Sequence, residues 1–382
     1  MTTRVASAVI GTAVAACASF LVGATSASAS ANPVVGHDYI NGNTAGTNTV
    51  AVYDRHADGS VTATPGSPFA IGGAGLGSGL GSQGSIQATA DRRFVLAVDA
   101  GSNEISVLRV GAHGVPTLVG SPVSSGGVEP VSIAVRADGL VYVANVGAGG
   151  SNYAGFRLSN TGRLTPLASS TVAVPEGSAV GDVFFNNVGN RLVGTRDATS
   201  VIDSFTVDGA GLLHAAAGSP FPAQSLGPIG AEFRPTNPNQ LYVSNAHAGA
   251  NLGTVSAFRV RGDGQLSSIG LSPVPDGQTA PCWVEITHDG KYLFTTNTGS
   301  GNLSTYAIQG DGALRLVGTT QFTNGSGAVD LRVSPDGTTL SVTGGKGHVL
   351  STFWVNGSHL TEIPSSPVAL PADGAPTGLV VL

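Results

Sequence analysis

Two glutamates stand at equivalent places in successive repeats of this sequence, Glu232 within Ala-Glu-Phe and Glu285 within Trp-Val-Glu-Ile. Carboxyl groups packed beside an arginine can share protons and act as general acid and general base. We therefore predict Glu285, Glu232 and Arg332 as catalytic residues. The alternative is that these groups hydrate a channel or pair with one another for structural reasons. Nearby columns of the repeats hold Gln87, Asp182 and Asp330.

A second group of polar and aromatic residues falls in or beside the longer, more varied loops of the repeats. Arg196, Asp197 and His247 lie in two of these loops, and Trp283 lies near the start of the sixth repeat. Variable loops on a rigid scaffold commonly carry ligand sites. We predict these four residues as ligand-binding. For Trp283, packing beneath a loop is an equally good interpretation, because a large aromatic side chain stabilises either arrangement.

Known cofactor and metal motifs are absent from the sequence, apart from one apparent match. Residues 79–84 read Gly-Leu-Gly-Ser-Gln-Gly and fit the dinucleotide-binding pattern, but that pattern requires a strand before it and a helix after it. Here it ends a glycine-rich run, 72–84, that leads into a strand, so we predict a flexible link between repeats. The eight histidines show no metal-ligand spacing. We expect no cofactor and no metal.

The composition excludes several protein classes. Glycine accounts for 56 of 382 residues, charged residues make up only 10%, and Lys291 and Lys346 are the only lysines. Such a chain is a poor helix former. It is also too apolar for a disordered protein. The net charge of −6 argues against a nucleic-acid partner.

Internal repetition identifies the fold class. A unit of four short strands with glycine turns recurs seven times, at separations of 45 to 55 residues. Asp-Gly pairs such as 138–139 and 289–290 lie between alternating apolar segments, as tight hairpins require. This pattern predicts an all-β, seven-bladed β-propeller of four-stranded antiparallel blades over residues 32–382. The glycines that mark the third-to-fourth turns are Gly59, Gly114, Gly162, Gly211, Gly264, Gly312 and Gly357.

The two ends of the repeat region complement each other. The first repeat lacks its first strand, and the chain ends with an unpaired first strand at residues 375–382. We predict that this C-terminal strand joins blade one and closes the ring, which removes an exposed sheet edge. In such a ring the second-to-third loops share one face and the Asp-Gly turns share the other. We expect the ligand on the loop face.

The first 31 residues have the order of a secretory signal: Arg4, an apolar stretch over 5–22, and small residues up to Ala31. We therefore predict an exported protein with no transmembrane segment after signal removal. A lipoprotein anchored through Cys17 is a minor alternative. Cys282 is then the one remaining cysteine, so no intramolecular disulfide forms, and we expect a monomer.

One repeat carries a family likeness. Residues 280–297, Ala-Pro-Cys-Trp-Val-Glu-Ile-Thr-His-Asp-Gly-Lys-Tyr-Leu-Phe-Thr-Thr-Asn, followed by Gly-Asn-Leu-Ser-Thr-Tyr at 301–306, resemble the seven-bladed lactonase-like propellers. That family includes 6-phosphogluconolactonases and carboxymuconate-lactonizing enzymes. The resemblance implies ring-opening or ring-closing chemistry on a lactone, without metal, by arginine, histidine and glutamate near the channel mouth.

The chain departs from the family at these positions. Where active relatives typically show Gly-Pro-Arg-His, residues 227–230 read Gly-Pro-Ile-Gly, and Asn245 is followed by alanine instead of glutamate. Two functions therefore stay open. One is an exported lactonase-like enzyme with a rebuilt site, acting on a small-molecule lactone. The other is a non-catalytic propeller that binds a carbohydrate, a peptide or an envelope partner.

Overall fold

Apart from one 3₁₀ turn at Ala112–Gly114, the regular elements are β-strands in the computed structural model, which describes residues 1–5, 7–8, 32–323 and 327–382. Contacts divide the chain into two units, Met1–Asn32 and Pro33–Leu382, and every strand belongs to the second. Most of the predicted signal segment, including Cys17, lies outside the described residues. None of the described helices is long and apolar enough to cross a membrane.

The strands fall into seven antiparallel sheets, each formed almost entirely by one stretch of the chain. The first three stretches contain β1 Val34–Asn41, β2 Thr49–His56, β3 Val61–Ala63 and β4 Phe69–Ala70; β5 Ile86–Ala88, β6 Phe94–Asp99, β7 Glu104–Val110, β8 Pro116–Leu118 and β9 Val123–Ser124; β10 Pro130–Val135, β11 Leu140–Asn145, β12 Asn152–Leu158, β13 Leu164–Pro166 and β14 Val172–Ala173.

The remaining stretches repeat the same order of strands. They contain β15 Val180–Phe185, β16 Arg191–Arg196, β17 Val201–Val207, β18 Leu213–Ala215 and β19 Phe221–Pro222; β20 Pro228–Phe233, β21 Gln240–Asn245, β22 Thr254–Val260, β23 Leu266–Ser268 and β24 Val274–Pro275; β25 Pro281–Ile286, β26 Tyr292–Asn297, β27 Asn302–Ile308 and β28 Leu314–Gln321; β29 Ala328–Val333, β30 Thr339–Gly344, β31 Val349–Asn356, β32 His359–Glu362 and β33 Val368–Ala369; and β34 Thr377–Val381.

The C-terminal strand closes the ring as the sequence predicts. β34 pairs antiparallel with β1 and supplies the inner strand of blade one, so the order in that sheet is β3-β2-β1-β34. Asp38 lies opposite Val381, and Tyr39 lies opposite Val380. The fold is therefore an all-β, seven-bladed propeller, and its inner strands β34, β5, β10, β15, β20, β25 and β29 surround the central channel.

The outer edge of six blades is built from two short pieces instead of one strand. In blade one, β3 and β4 both pair with β2, and between them the Ser67 hydroxyl accepts a hydrogen bond from the Val52 amide at 2.8 Å. The hydroxyls of Ser219, Ser272 and Ser366 likewise accept hydrogen bonds from third-strand amides in other blades. Only blade six has a continuous outer strand, β28. A serine thus satisfies a third-strand amide at the break in the outer edge.

Neighbouring blades are joined by a repeated tyrosine contact. The hydroxyls of Tyr39, Tyr142 and Tyr242, all on second strands, donate to the carbonyls of Gly114, Gly211 and Gly312 in the next blade, at 2.7 to 2.9 Å. These glycines have positive φ, the conformation predicted for the third-to-fourth turns. The same turn therefore ends a hairpin and holds the adjacent blade.

Candidate active site in the central channel

The predicted catalytic residues meet inside the channel. Glu232, Glu285 and Arg332 occupy the fifth position of the inner strands β20, β25 and β29, and Asp182 and Asp330 occupy the third position of β15 and β29. Since side chains alternate along a strand, both positions face the same side of their sheets. We call these five residues the channel cluster. We call the end of the channel at the Asp-Gly turns the turn end, and the opposite end, at the second-to-third loops, the loop end.

Arg332 is the centre of the channel cluster. Its Nη1 lies 3.5 Å from Oε2 of Glu285 and 3.1 Å from Oδ1 of Asp330, and it donates to the Leu331 carbonyl at 2.8 Å. Burial alone would lower the pKa of Arg332, but the surrounding carboxyl groups, led by Asp330, raise it above its usual value. Among the described residues, all hydrogen bonds of this guanidinium pass through Nη1, which leaves Nη2 and Nε for another group.

Glu285 is held by its neighbours in blade seven. Its Oε1 accepts the Val333 amide at 2.9 Å, and its side chain keeps 11% of its accessible surface. Burial raises the pKa of Glu285 to about 7, and Arg332 and the Val333 amide limit that rise. The carboxyl group therefore loses its proton near neutral pH.

Glu232 lies next to Glu285 in the channel. Burial and the neighbouring Glu285 raise the pKa of Glu232 well above its usual value, against the opposing effect of Arg332. Its Oε2 is buried and has no hydrogen-bond partner among the described residues. Ionisation of Glu232 is therefore disfavoured while Glu285 carries a negative charge.

Asp182 and Asp330 fix the channel cluster to the blades. Asp182 accepts the Ser132 hydroxyl at 3.0 Å and the Ala231 amide at 3.1 Å, and so joins three blades. Burial raises the pKa of Asp182 to about 7. Asp330 accepts the Leu379 amide of β34 at 3.0 Å, so the closing strand is bonded to the cluster.

The turn end of the channel opens into a cavity of about 390 Å³. Glu232, Gln87, Phe184 and Phe233 line its inner part, and turn residues such as Asn187 line its rim. Its volume lies within the usual range for small-molecule sites. A ligand in this cavity would contact Glu232, with Glu285 and Arg332 next to it.

The loop end is closed by the main chain of residues 82–85, which we call the plug. Gln83 is 4% exposed. Its amide group reaches across the channel to β25, donating to the Val284 carbonyl at 2.8 Å and accepting the Val284 amide at 3.3 Å. Its own backbone amide donates to the Gly181 carbonyl at 2.8 Å. The glycine-rich run 72–84, which was expected to be a flexible link, is therefore buried and fixed where it enters the plug. Its backbone and side-chain groups are hydrogen-bonded there to distant blades.

Trp283 and Arg196, two predicted ligand contacts, form hydrogen bonds within the propeller. Trp283 is 4% exposed, and its Nε1 donates to the Ser82 carbonyl at 2.9 Å, which fastens the plug. Arg196 makes a bidentate pair with Asp203, with both distances 2.6 Å. Tyr153 donates to the same carboxylate at 2.8 Å. The Arg196 guanidinium is therefore engaged by Asp203 within its own blade.

Asp197 and His247 do come together on the loop face. Oδ1 of Asp197 lies 3.0 Å from Nδ1 of His247, and the imidazole is 55% exposed. Burial raises the pKa of Asp197, and His247 opposes that effect. Burial raises the pKa of the Cys282 thiol to about 12, and the negative charge of nearby Asp197 adds to that rise, so the thiol is a poor nucleophile.

Sequence reasoning missed the plug. Ser82 and Gln83 bond to residues 201 positions away, so no local pattern marks them. The Arg196–Asp203 pair had a recognisable signal, because β16 and β17 form a hairpin that places the two residues diagonally across it. Within the described ranges, no group of three or more histidine, cysteine, aspartate or glutamate residues is arranged to hold a metal ion.

Comparisons with known proteins agree with this architecture. The model of the lactonase, seven-bladed β-propeller family matches residues 233–352, which include Glu285 and Arg332. No curated protein matches the chain in sequence.

Solved structures match over the whole ring at low identity. A proposed 6-phosphogluconolactonase from Bacteroides uniformis superposes with a TM-score of 0.72 at 18% identity, over 91% of this chain and 99% of the other. A periplasmic gluconolactonase from Pseudomonas aeruginosa gives 0.69 at 19% identity, over 91% and 99%. A protein from Lactobacillus plantarum gives 0.73 at 17% identity, over 91% and 99%. The solved structures share the seven-bladed ring, so the chain is a seven-bladed β-propeller, and its residues 233–352 are similar to the lactonase family.

Proposed function

We propose that this protein is an exported lactonase that hydrolyses an uncharged sugar-type lactone at the turn end of its channel. The observation that carries the proposal is the meeting of two neighbouring buried carboxyl groups, Glu285 and Glu232, with Arg332 in the channel. Environments that push two carboxyl pKa values apart are typical of acid–base pairs. Oε2 of Glu232 has no hydrogen-bond partner among the described residues, which leaves it available to a ligand.

Glu285 is the general base of the proposed reaction. In its ionised form it takes a proton from a water molecule as the water oxygen attacks the lactone carbonyl carbon. Arg332 and the Val333 amide favour this ionised form. The carbonyl π-bond electrons move to oxygen and give a tetrahedral oxyanion, which the free nitrogens of Arg332 stabilise.

Glu232 is the general acid. As the oxyanion collapses, the bond between the carbonyl carbon and the ring oxygen breaks, and Glu232 protonates that leaving oxygen. The product is the open-chain hydroxy acid. The proton taken up by Glu285 then returns to Glu232 or to solvent. The reaction uses only protein groups and water.

The charge of the channel cluster favours an uncharged substrate. Four carboxyl groups surround a single arginine, so ionisation of more than one of them makes the channel negative. A phosphorylated lactone would be repelled by that potential. The name of the Pseudomonas aeruginosa relative, a periplasmic gluconolactonase, supports the same substrate class. The N-terminal residues 1–31 support export.

The test is hydrolysis of a lactone panel, including glucono-δ-lactone and its 6-phosphate, by the purified protein and two variants. Glu285→Gln should lower kcat by about 100-fold or more, the usual contribution of a general base. Glu104→Gln, on β7 of blade two, is the matched control and should have wild-type activity.

The pH profile tests the assignment of roles. kcat/KM should rise as pH passes about 7, where Glu285 loses its proton, and should fall again once Glu232, whose ionisation burial and Glu285 oppose, is deprotonated. Glu232→Gln should remove the falling limb. Hydrolysis that is unaffected by Glu285→Gln would overturn the mechanism, and no hydrolysis of any lactone would favour the carbohydrate-binding alternative.

A further inference from the structure

A second cavity, of about 480 Å³, lies at the loop end beside the plug, between blades six, seven and one. We propose that it binds a small amphiphilic anion, with an apolar body inside the cavity and one acidic group at its rim. This site lies on the opposite face from the proposed active site and does not depend on lactone hydrolysis.

The cavity exists because small residues leave its walls without side chains. Gly79, Gly81, Gly327 and Gly345 all line it, together with Ala375. No heavy atom lies within 4 Å of a Cβ built on Gly79 or Gly81. The plug holds the chain just beyond these two glycines, so the space beside them is part of the folded ring.

The inner walls are apolar and fixed in position. Leu80, Trp283, Val329 and Pro376 face the space, and they come from four separate parts of the chain. The Trp283 ring is held by its hydrogen bond to the Ser82 carbonyl, so it does not need to reorient when a ligand enters. A rigid aromatic wall of this kind gives contact area at a low entropic cost.

The charge at the rim specifies the polar group of the ligand. Lys346, one of two lysines in the sequence, lines the cavity and is exposed. It forms no salt bridge with any described residue, and none of the lining residues is acidic. An unpaired ammonium group beside an apolar wall favours a ligand with a carboxylate or sulfonate attached to a ring or chain.

The test uses two probes that differ in charge, 8-anilinonaphthalene-1-sulfonate and the uncharged N-phenyl-1-naphthylamine. The background is Trp354→Phe, which leaves Trp283 as the sole tryptophan. Saturable quenching of Trp283 fluorescence reports binding next to this residue. The anionic probe should bind about threefold to fivefold more tightly than the neutral one, as one exposed charge pair would give.

Two kinds of variant locate the site. Gly79→Phe and Ala375→Phe, on different walls, should each abolish the saturable quenching. Gly310→Phe is the matched control, because Gly310 also has open space at its Cβ but lies in another loop. Lys346→Gln should remove the difference in affinity between the two probes.

Circular dichroism and melting temperature establish that each variant is folded. If both folded phenylalanine variants bind the anionic probe like wild type, the site is elsewhere and the proposal is wrong. It is also wrong if the folded Lys346→Gln variant keeps the full preference for the anion, or if wild type shows no saturable quenching.

Discussion

The two ends of the channel are built on the same seven inner strands, yet the loop end is closed and the turn end is open. At the loop end, the plug fills the channel with main chain and with the hydrogen-bonded side chain of Gln83. At the turn end, Glu232 is the member of the channel cluster that lines a cavity, and its Oε2 has no hydrogen-bond partner among the described residues. The difference indicates that one end stabilises the ring and the other retains chemical capacity.

Residue size explains the difference. Glycine at position 230 lets the plug approach β20, because a Cβ there would lie 2.4 Å from Oε1 of Gln83. Two positions further along the same strand, Glu232 fills the channel with a long side chain. The channel is therefore a blind pocket that a substrate can enter only from the turn end.

The largest expected effect comes from removing β34, the strand that closes the ring and bonds to the channel cluster. Deletion of residues 377–382 removes β34, exposes the edge of β1 and takes the Leu379 amide from Asp330. We expect aggregation and loss of cooperative thermal unfolding, measured by size-exclusion chromatography and calorimetry. A monodisperse deletion variant with unchanged melting would contradict the closed ring.

An intermediate effect should separate the two ends directly. Gln83→Ala leaves both Val284 backbone groups without their partner, and we expect a loss of about 2 kcal/mol in the free energy of unfolding. Gln87→Ala is the matched change at the turn end. The Gln87 side chain makes no hydrogen bond to the described residues, so a loss below about 0.5 kcal/mol is expected. If urea unfolding gave the same loss of unfolding free energy for both variants, the hydrogen bonds of the plug would not stabilise the ring more than residues at the turn end do.

The smallest expected effect is on pH-dependent stability. Burial raises the pKa of Asp182 to about 7, and of Asp38 and Asp99 to about 6. The folded state therefore binds more protons than the unfolded state between about pH 4 and 7, so stability falls as pH rises across that interval. We expect the melting temperature to be higher at pH 5 than at pH 8, by on the order of 5 °C.

Asp182→Asn tests the origin of that trend. Removing one of the titrating groups should flatten the dependence of melting temperature on pH between 5 and 8. Asp311→Asn, in a turn outside the channel, should leave the slope as in wild type. A slope that is unchanged in Asp182→Asn would place the pH effect outside the channel cluster.

The sequence was sufficient for the ring but only partly sufficient for the site. Turn glycines such as Gly162 and Gly264 mark the period because positive φ is a local requirement, and local requirements are visible in a sequence. Glu232 and Glu285 were expected together from their equivalent places in the repeat, with Arg332 in a nearby column. Their raised pKa values could not be predicted, since those depend on burial and on groups from other blades.

Contacts across the channel were beyond sequence reasoning. Gln83 appeared as one polar residue in a glycine-rich run, while its partner Val284 belongs to a strand four blades further on. The split outer edge, in contrast, had a readable signal, because Ser-Pro pairs such as 67–68 and 219–220 recur at its breaks. A repeated dipeptide can be recognised even when its role is not.

The pairing of β34 with β1 sets the order in which the molecule can be completed. During synthesis, the N-terminal strand of the ring leaves the ribosome long before its partner at residues 377–381 is made. Blade one therefore keeps an uncovered edge until β34 has been made, because the two strands that close the ring come from opposite ends of the repeat region. Joining Leu382 to Pro33 by a short linker and opening the chain between two other blades would keep the native contacts while letting every blade form from consecutive residues.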